Sequence, residues 1–305
     1  MAISVYYHPD FLKHEMGLGH PERPQRLEAI LTALKAVSWS DELDWVTPKP
    51  ILKEDLYRVH DKTYIENLFQ SVPEAGYYYL DADTALNPFT LKAACLAAGS
   101  VKDAVDLVMT DKAQHVACLV RPPGHHAEPD RGMGFCFFNN VAIGAAYALE
   151  RYNLERIAIV DFDVHHGNGT EKIFRQEPRI LFCSSFQYPL YPGVNLSDQP
   201  KHFHFYPLPA GSGSEAFKAL IEDHLIDTLF AFNPQIIFIS AGFDAHKKDP
   251  LAELQLERKD YFYITQKIAE VAKACSSNRV ISTLEGGYHL KALAGAYVAH
   301  LRALR

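Results

Sequence analysis

A chain of 305 residues with 48% apolar and 22% charged side chains has the make-up of a water-soluble globular protein and is long enough to bury a sizeable core. Its formal net charge of −7 argues against non-specific nucleic-acid binding, which needs a basic surface, and no apolar run approaches the ~20 residues of a membrane span. The five cysteines are odd in number, widely spaced and without a Cys-x-x-Cys pair, which argues against a disulfide framework or a thiolate zinc knuckle and for a reduced, cytoplasmic protein.

The opening residues, 1–7, carry no basic region and no apolar core of signal-peptide length, so no leader is expected. Residues 3–7 read as a first strand. Residues 8–26 form a polar loop with Gly17, Gly19, Pro21 and Pro24, and residues 26–37 place Leu27, Ile30, Leu31 and Leu34 at helical spacing. Prolines interrupt residues 46–51, which makes that stretch an edge strand at best. One or two short helices are expected over 53–69 and a longer one, rich in Ala and Leu, over 88–109. A buried strand over 115–120 runs into Arg121-Pro122-Pro123-Gly124-His125-His126, and a helix follows at 139–152. The apolar run 157–162 is another strand of the kind buried on both faces. It leads into Asp163-Val164-His165-His166 and a glycine-broken turn. A strand over 179–184 precedes an aromatic loop with Tyr188, Pro189, Tyr191, Pro192 and Gly193. A helix over 214–232 has Ser214 as its expected cap. The strand 235–240 enters Ala241-Gly242-Phe243-Asp244, a helix covers 259–275, the strand 279–283 leads to Glu285-Gly286-Gly287-Tyr288, and a last helix runs 290–305. Strand and helix alternate, which predicts a mostly parallel sheet with helices on both faces. No repeat, low-complexity tract or linker divides the chain, so one domain over 1–305 is expected.

Four of these strands end in reactive side chains: His125 and His126, Asp163 and His165, Asp244, and Tyr288. In parallel strands those ends share one edge of the sheet, where open α/β sheets bind ligands. Each piece alone has a bland reading. Asp-x-His can be a helix cap and a solvated turn, Asp244 a turn aspartate, the histidine pair structural, and Tyr288 a packed core ring. Their convergence points elsewhere. Asp163 and His165, two apart, would face the same way in extended chain. With Asp244 they offer two carboxylates and one imidazole, and three protein ligands leave a catalytic metal one open position. His125 and His126 have no ligand spacing and suit proton transfer, while Tyr288, behind two glycines, can donate its hydroxyl to an oxyanion. Fifteen histidines, several of them clustered, fit that chemistry.

Taken together, Arg121-Pro122-Pro123-Gly124-His125-His126, residues 134–140 (Gly134-Phe135-Cys136-Phe137-Phe138-Asn139-Asn140), Asp161-x-Asp163-x-His165-His166-Gly167-Asn168-Gly169-Thr170, Ser240-Ala241-Gly242-Phe243-Asp244 and Glu285-Gly286-Gly287-Tyr288 resemble the histone deacetylase family of zinc-dependent amidohydrolases. The motifs keep the family's order and span residues 20–288. The segment Gly19-His20-Pro21-Glu22-Arg23-Pro24 and Asn168 resemble its class II branch and bacterial relatives. The resemblance implies the arginase/deacetylase fold, a three-layer α/β/α domain with an eight-stranded, mostly parallel sheet. It implies a catalytic zinc on Asp163, His165 and Asp244, His126 as general base and acid, His125 as its electrostatic partner, and Asp161 and Asn168 behind the two histidines. It also implies a narrow acyl-lysine channel at Gly134 between Phe135 and Tyr191, and a structural potassium ion among Asp161, Asp163, His165, Ser184 and the backbone of Ser185. Asn168, Tyr191 and Ser185 depart from the family's commoner Asp, Phe and Leu. A neutral amide at 168 stabilises an imidazolium less than a carboxylate would.

The function expected is zinc-dependent removal of an acyl (acetyl) group from an N-acyl-lysine side chain of a protein or peptide, with neither nucleic acid nor membrane as partner. An acetylpolyamine amidohydrolase is the alternative within this chemistry. In the polyamine-specific relative the position after Asp249-Pro250 resembles a glutamate gatekeeper that would hold a second ammonium, and here it is Leu251, which favours a lysine-type substrate. An acyl-lysine reader with little turnover is the alternative of another class, against which Tyr288 argues. A ureohydrolase would need a second set of Asp and His ligands.

Overall fold

The structure is a computed structural model that describes residues 3–305; Met1 and Ala2, part of the stretch expected to lack leader character, lie outside the described residues. In chain order the elements are β1 (Ile3–Tyr6), α1 (Gln25–Lys35), β2 (Leu43–Val46), α2 (Lys53–Leu56), α3 (Lys62–Gln70), β3 (Tyr78–Tyr79), β4 (Ala85–Leu86), α4 (Thr90–Met109), β5 (His115–Cys118) and α5 (Asn140–Tyr152). There follow β6 (Ile157–Asp161), α6 (Asn168–Phe174), β7 (Ile180–Gln187), β8 (Phe203–Leu208), α7 (Ser214–Leu220), α8 (Ile226–Phe232), β9 (Ile236–Ala241), α9 (Arg258–Cys275), β10 (Val280–Leu284) and α10 (Leu290–Leu304).

Eight strands form one sheet in the order β2-β1-β5-β10-β9-β6-β7-β8, and every pairing is parallel. β3 and β4 make a separate antiparallel hairpin. Parallel strands need crossovers, and the crossovers put helices on both faces. α1, α9 and α10 pack together in one layer, α4 and α5 in the other. The covered sheet has to be apolar on both sides, which is why all residues of β6, β9 and β10 are buried. The four strands expected to end in reactive residues, β5, β10, β9 and β6, are the four consecutive strands at the sheet's centre.

Three local expectations are corrected, and two elements were not foreseen. The edge strand lies at Leu43–Val46 rather than 46–51, because it stops before Pro48 and Pro50, which cannot donate to a ladder. β8 and α6 had no strong sequence signal: β8 mixes aromatic, polar and proline residues on the far edge, and α6 begins inside Gly167-Asn168-Gly169. The helix expected over 214–232 is interrupted by a π-helical turn at Ile221–Leu225. Ser214 does not cap it. Its hydroxyl donates to Asp260 Oδ2 at 2.7 Å, and Asp260 belongs to the capping box of α9.

Candidate active site

β6 ends at Asp161, so Asp163 and His165 are not on extended chain. Their pairing comes from a turn. The Asp161 side chain accepts from Asp163 N at 3.1 Å, and Asp163 Oδ1 accepts from His165 N at 2.9 Å. Asp244 arrives from the end of β9, and its Oδ1 accepts from Val164 N at 2.9 Å. One potential ligand atom from each of Asp163, His165 and Asp244 lies within 4.8 Å of the others.

This donor set fits a cation. Asp244 Oδ2 is buried and has no hydrogen-bond partner, an expensive condition for a carboxylate unless a positive charge faces it. The surrounding backbone is pared to glycine where it passes the carboxylates. A Cβ on Gly286 would run into Asp244 Oδ2 and Asp163 Oδ2, and one on Gly242 into Asp163. Gly286 N instead donates to Asp163 Oδ2 at 2.8 Å. Burial opposes charge on His165, yet Asp163 and Asp244 outweigh it and push its pKa up to about 10: the carboxylates draw a positive charge into their midst. Two carboxylates and an imidazole are the donors zinc takes with one position left for water or substrate.

The two histidines stand beside this cluster. His125 Nδ1 and Asp161 Oδ2 are 2.9 Å apart, and His126 Nδ1 lies 2.7 Å from Asn168 Oδ1. Their environments push them apart. Burial lowers His125, but Asp161 and Asp163 prevail and lift it to about 10. Burial and then the charges of His125 and His165 hold His126 well below the ordinary imidazole value. One ring is thus set to stay charged and the other to stay neutral and accept a proton. Tyr288 is 8% exposed, and its backbone N–H donates to Asp249 Oδ2 at 2.7 Å. Phe135 meets the Tyr288 ring edge-on at 5.8 Å. Tyr191 does the same to His126 at 5.3 Å, so Phe135 and Tyr191 approach the cluster through different members. Gly134, at φ +57, lies against both the His126 ring and the Tyr191 hydroxyl, where a side chain would not fit.

The remaining expected residues are more loosely placed. Asp161 pairs in register with Ser184 across β6 and β7, and Ser185 is buried one residue on. The Ser184 hydroxyl lies 3.0 Å from His166 Nδ1. Leu251 is half-buried, and its N–H donates to Asp249 Oδ1 at 3.1 Å, which ties it to the loop that holds Tyr288.

Several contributors were not singled out from the sequence. Arg26 is fully buried, its guanidinium 4.9 Å from the Tyr288 ring centroid, and its Nε donates to Gly287 O at 2.6 Å. Glu22 bridges Arg26 and Arg121, both fully buried. Glu285 receives Gly124 N at 2.6 Å and His125 N at 3.2 Å, fastening β10's end to the histidine loop. The signal for Arg26 was available: it falls on the apolar face of α1 with Leu27, Ile30 and Leu34.

A family model described as "Histone deacetylase domain" matches residues 20–304. The chain belongs to the histone deacetylase family. An uncharacterized protein of Synechocystis is 40% identical over 99% of this chain and 99% of its own length. The Polyamine deacetylase HDAC10 of Homo sapiens is 33% identical over 96% of this chain and 46% of its own. The crystal structure of the HDA15 HD domain superposes with a TM-score of 0.91 at 31% identity, covering 99% of this chain and 90% of that one. The all-parallel eight-stranded sheet between helical layers is accordingly the histone deacetylase family's arginase-like α/β fold, and membership makes the chain a hydrolase of that family acting on acetylated amines. Among the described residues no helix is long and apolar enough to cross a membrane.

Proposed function

We propose that the protein is a zinc-dependent deacylase that hydrolyses the amide of an N-acyl-lysine side chain in a protein or peptide. The observation that carries this reading is the buried Asp244 Oδ2, without a hydrogen-bond partner, in the cluster of Asp163, His165 and Asp244, beside His125 on Asp161 and His126 on Asn168. Asp163, His165 and Asp244 would hold the zinc, which when bound supplies a Lewis acid for the acyl carbonyl and lowers the pKa of its water. His126 takes the proton of the attacking water on Nε2, while Asn168 holds Nδ1. Tyr288 donates its hydroxyl to the developing oxyanion. His125, kept charged by Asp161, offsets that negative charge, and the proton gained by the histidine pair passes to the leaving amine. Phe135 and Tyr191 flank the acyl-lysine side chain next to Gly134.

A structural potassium ion would take oxygens from Asp161, Ser184 and neighbouring backbone, including Asp163, His165 and Ser185. The register pairing of Asp161 with Ser184 supports it. Acetylpolyamine hydrolysis is the second reading, favoured by the human relative's name. Leu251 weighs against it, because an apolar side chain there offers a second ammonium no carboxylate.

Two measurements test the proposal. Asp244→Ala should lose most of the bound zinc, by metal analysis, and most of the activity. Comparison of kcat/KM on acetyl-lysine peptide, longer acyl-lysine peptide and acetylspermidine should favour a lysine substrate. Two tightly coupled metals in the wild type, or full activity after complete chelation, would sink the zinc reading; preference for acetylspermidine over every peptide would transfer the assignment to polyamines.

A further inference from the structure

A carboxylate behind His126 would receive its ring N–H whichever way round it sat, because both oxygens accept. An amide has one accepting oxygen and one donating nitrogen, and a half-turn exchanges them. Reversed, Asn168 would present a donor to Nδ1. The ring proton would then move to Nε2, and the nitrogen that must take up a proton would already carry one. With asparagine at 168, something else has to set the amide's direction.

Asn168 Nδ2 faces Glu128 Oε1 at 2.9 Å, Met133 Sδ at 3.4 Å and His126 O at 3.5 Å. All three accept, and one is a carboxylate. Glu128 is itself anchored: Oε2 receives Arg131 Nε and Lys172 Nζ, both at 2.9 Å, and its side chain is only 8% exposed. Lys172 lies one turn after Asn168, so one face of α6 carries both the amide and a cation for its partner. Gly169 N and Thr170 N donate to His125 O at 3.1 and 3.2 Å, which fixes the start of α6 against the histidine loop.

We infer that Glu128 is a positioning residue for the reaction: by holding the Asn168 amide in one direction it keeps the His126 proton on Nδ1 and leaves Nε2 free to accept from the attacking water. The inference rests on the deacylase reading, in which His126 is the base. Arg131 and Lys172 offset the carboxylate's charge, so Glu128 acts by orientation.

A double-mutant cycle on the zinc-loaded full chain tests it. With Asn168 present, Glu128→Ala should lower kcat on acetyl-lysine peptide by about 10- to 100-fold, a part of the roughly 10²–10⁴ that general-base catalysis contributes, with KM and zinc content nearly unchanged. Long-range proton–nitrogen NMR of histidine-labelled protein should show His126 losing its single Nδ1–H tautomer. In the Asn168→Asp background no amide needs orienting and two carboxylates face each other, so removing Glu128 should leave kcat unchanged or raise it. Glu128→Gln keeps the side chain's volume and carries the same test, with a smaller loss, should the alanine variant not fold. An equal loss in both backgrounds, or a His126 tautomer indifferent to Glu128, overturns the inference. The NMR measurement needs no turnover, so a wild type inactive on every acyl substrate would defeat the deacylase reading and still leave the role of Glu128 decided.

Discussion

Tyr288 is nearly buried, flanked by Phe135 and the Arg26 guanidinium, and its backbone is tied to Asp249. Such packing would suit a purely structural ring as well as a catalytic hydroxyl, so the two roles have to be parted by what the hydroxyl alone does. An oxyanion carries full charge only near the transition state, and contacts made mainly there change kcat more than KM. Tyr288→Phe keeps the ring and its neighbours. Losing one oxyanion donor costs about 10²–10³ in rate in other hydrolases, and a kcat drop of that size is expected here with zinc content and KM nearly unchanged. Intact turnover with a lowered melting temperature would make the tyrosine structural. Binding of acyl-lysine peptide without turnover in the zinc-loaded wild type would make the protein a reader.

The turn after β10 acts as an element in the same site. Gly286 places its N–H on Asp163 and leaves no room for a side chain between Asp163 and Asp244. Gly286→Ala should therefore push the two carboxylates apart and weaken zinc at least tenfold in a chelator competition, a loss of about 1.4 kcal/mol or more. Gly76 has a left-handed φ of +72 but open space around it, so Gly76→Ala should cost a little stability and leave zinc affinity alone. An unchanged zinc affinity in the Gly286 variant would show that the carboxylates relax around the methyl group. The same elements show what could be read from the chain. The central strands were legible because burial on both faces leaves short, mainly apolar runs, and each leads into a motif that carries reactive side chains. β8 was not, since its edge position lets Tyr206 and Pro207 stand among its apolar residues. Asp163 and His165 were picked as a pair on the wrong ground, alternation in a strand, when a side-chain-to-backbone turn joins them. Arg26, Glu22 and Arg121 were missed as a set because a buried charge looks like a solvated one until its partner, 99 residues away for Glu22 and Arg121, is known.

At the scale of the whole molecule the site depends on the layer beneath it. His300 of α10 is fully buried, and its ring nitrogens each lie 2.7 Å from a hydroxyl, Thr265 Oγ1 and Ser282 Oγ. Its ring also packs against Phe162 at 6.0 Å and Phe243 at 5.8 Å, the residues that precede Asp163 and Asp244. Burial holds its pKa down at about 3. An unfolded histidine takes its proton near pH 6.5, so between pH 6.5 and about 3 the unfolded chain binds a proton that the native chain refuses. Stability from this group is therefore complete above pH 6.5 and is lost as the pH falls through that window. His300→Gln, with no titrating ring, should escape the loss. Its deficit relative to wild type, from urea unfolding with zinc held constant, should narrow by about 1.6 kcal/mol between pH 6.5 and pH 5, because the unfolded imidazole goes from half to almost fully protonated over that range. A deficit that stays the same at both pH values would mean that native His300 takes up its proton as readily as the unfolded chain does, and so is charged at pH 5. The floor under Phe162 and Phe243 would then rest on an ion rather than on a neutral ring between two hydroxyls.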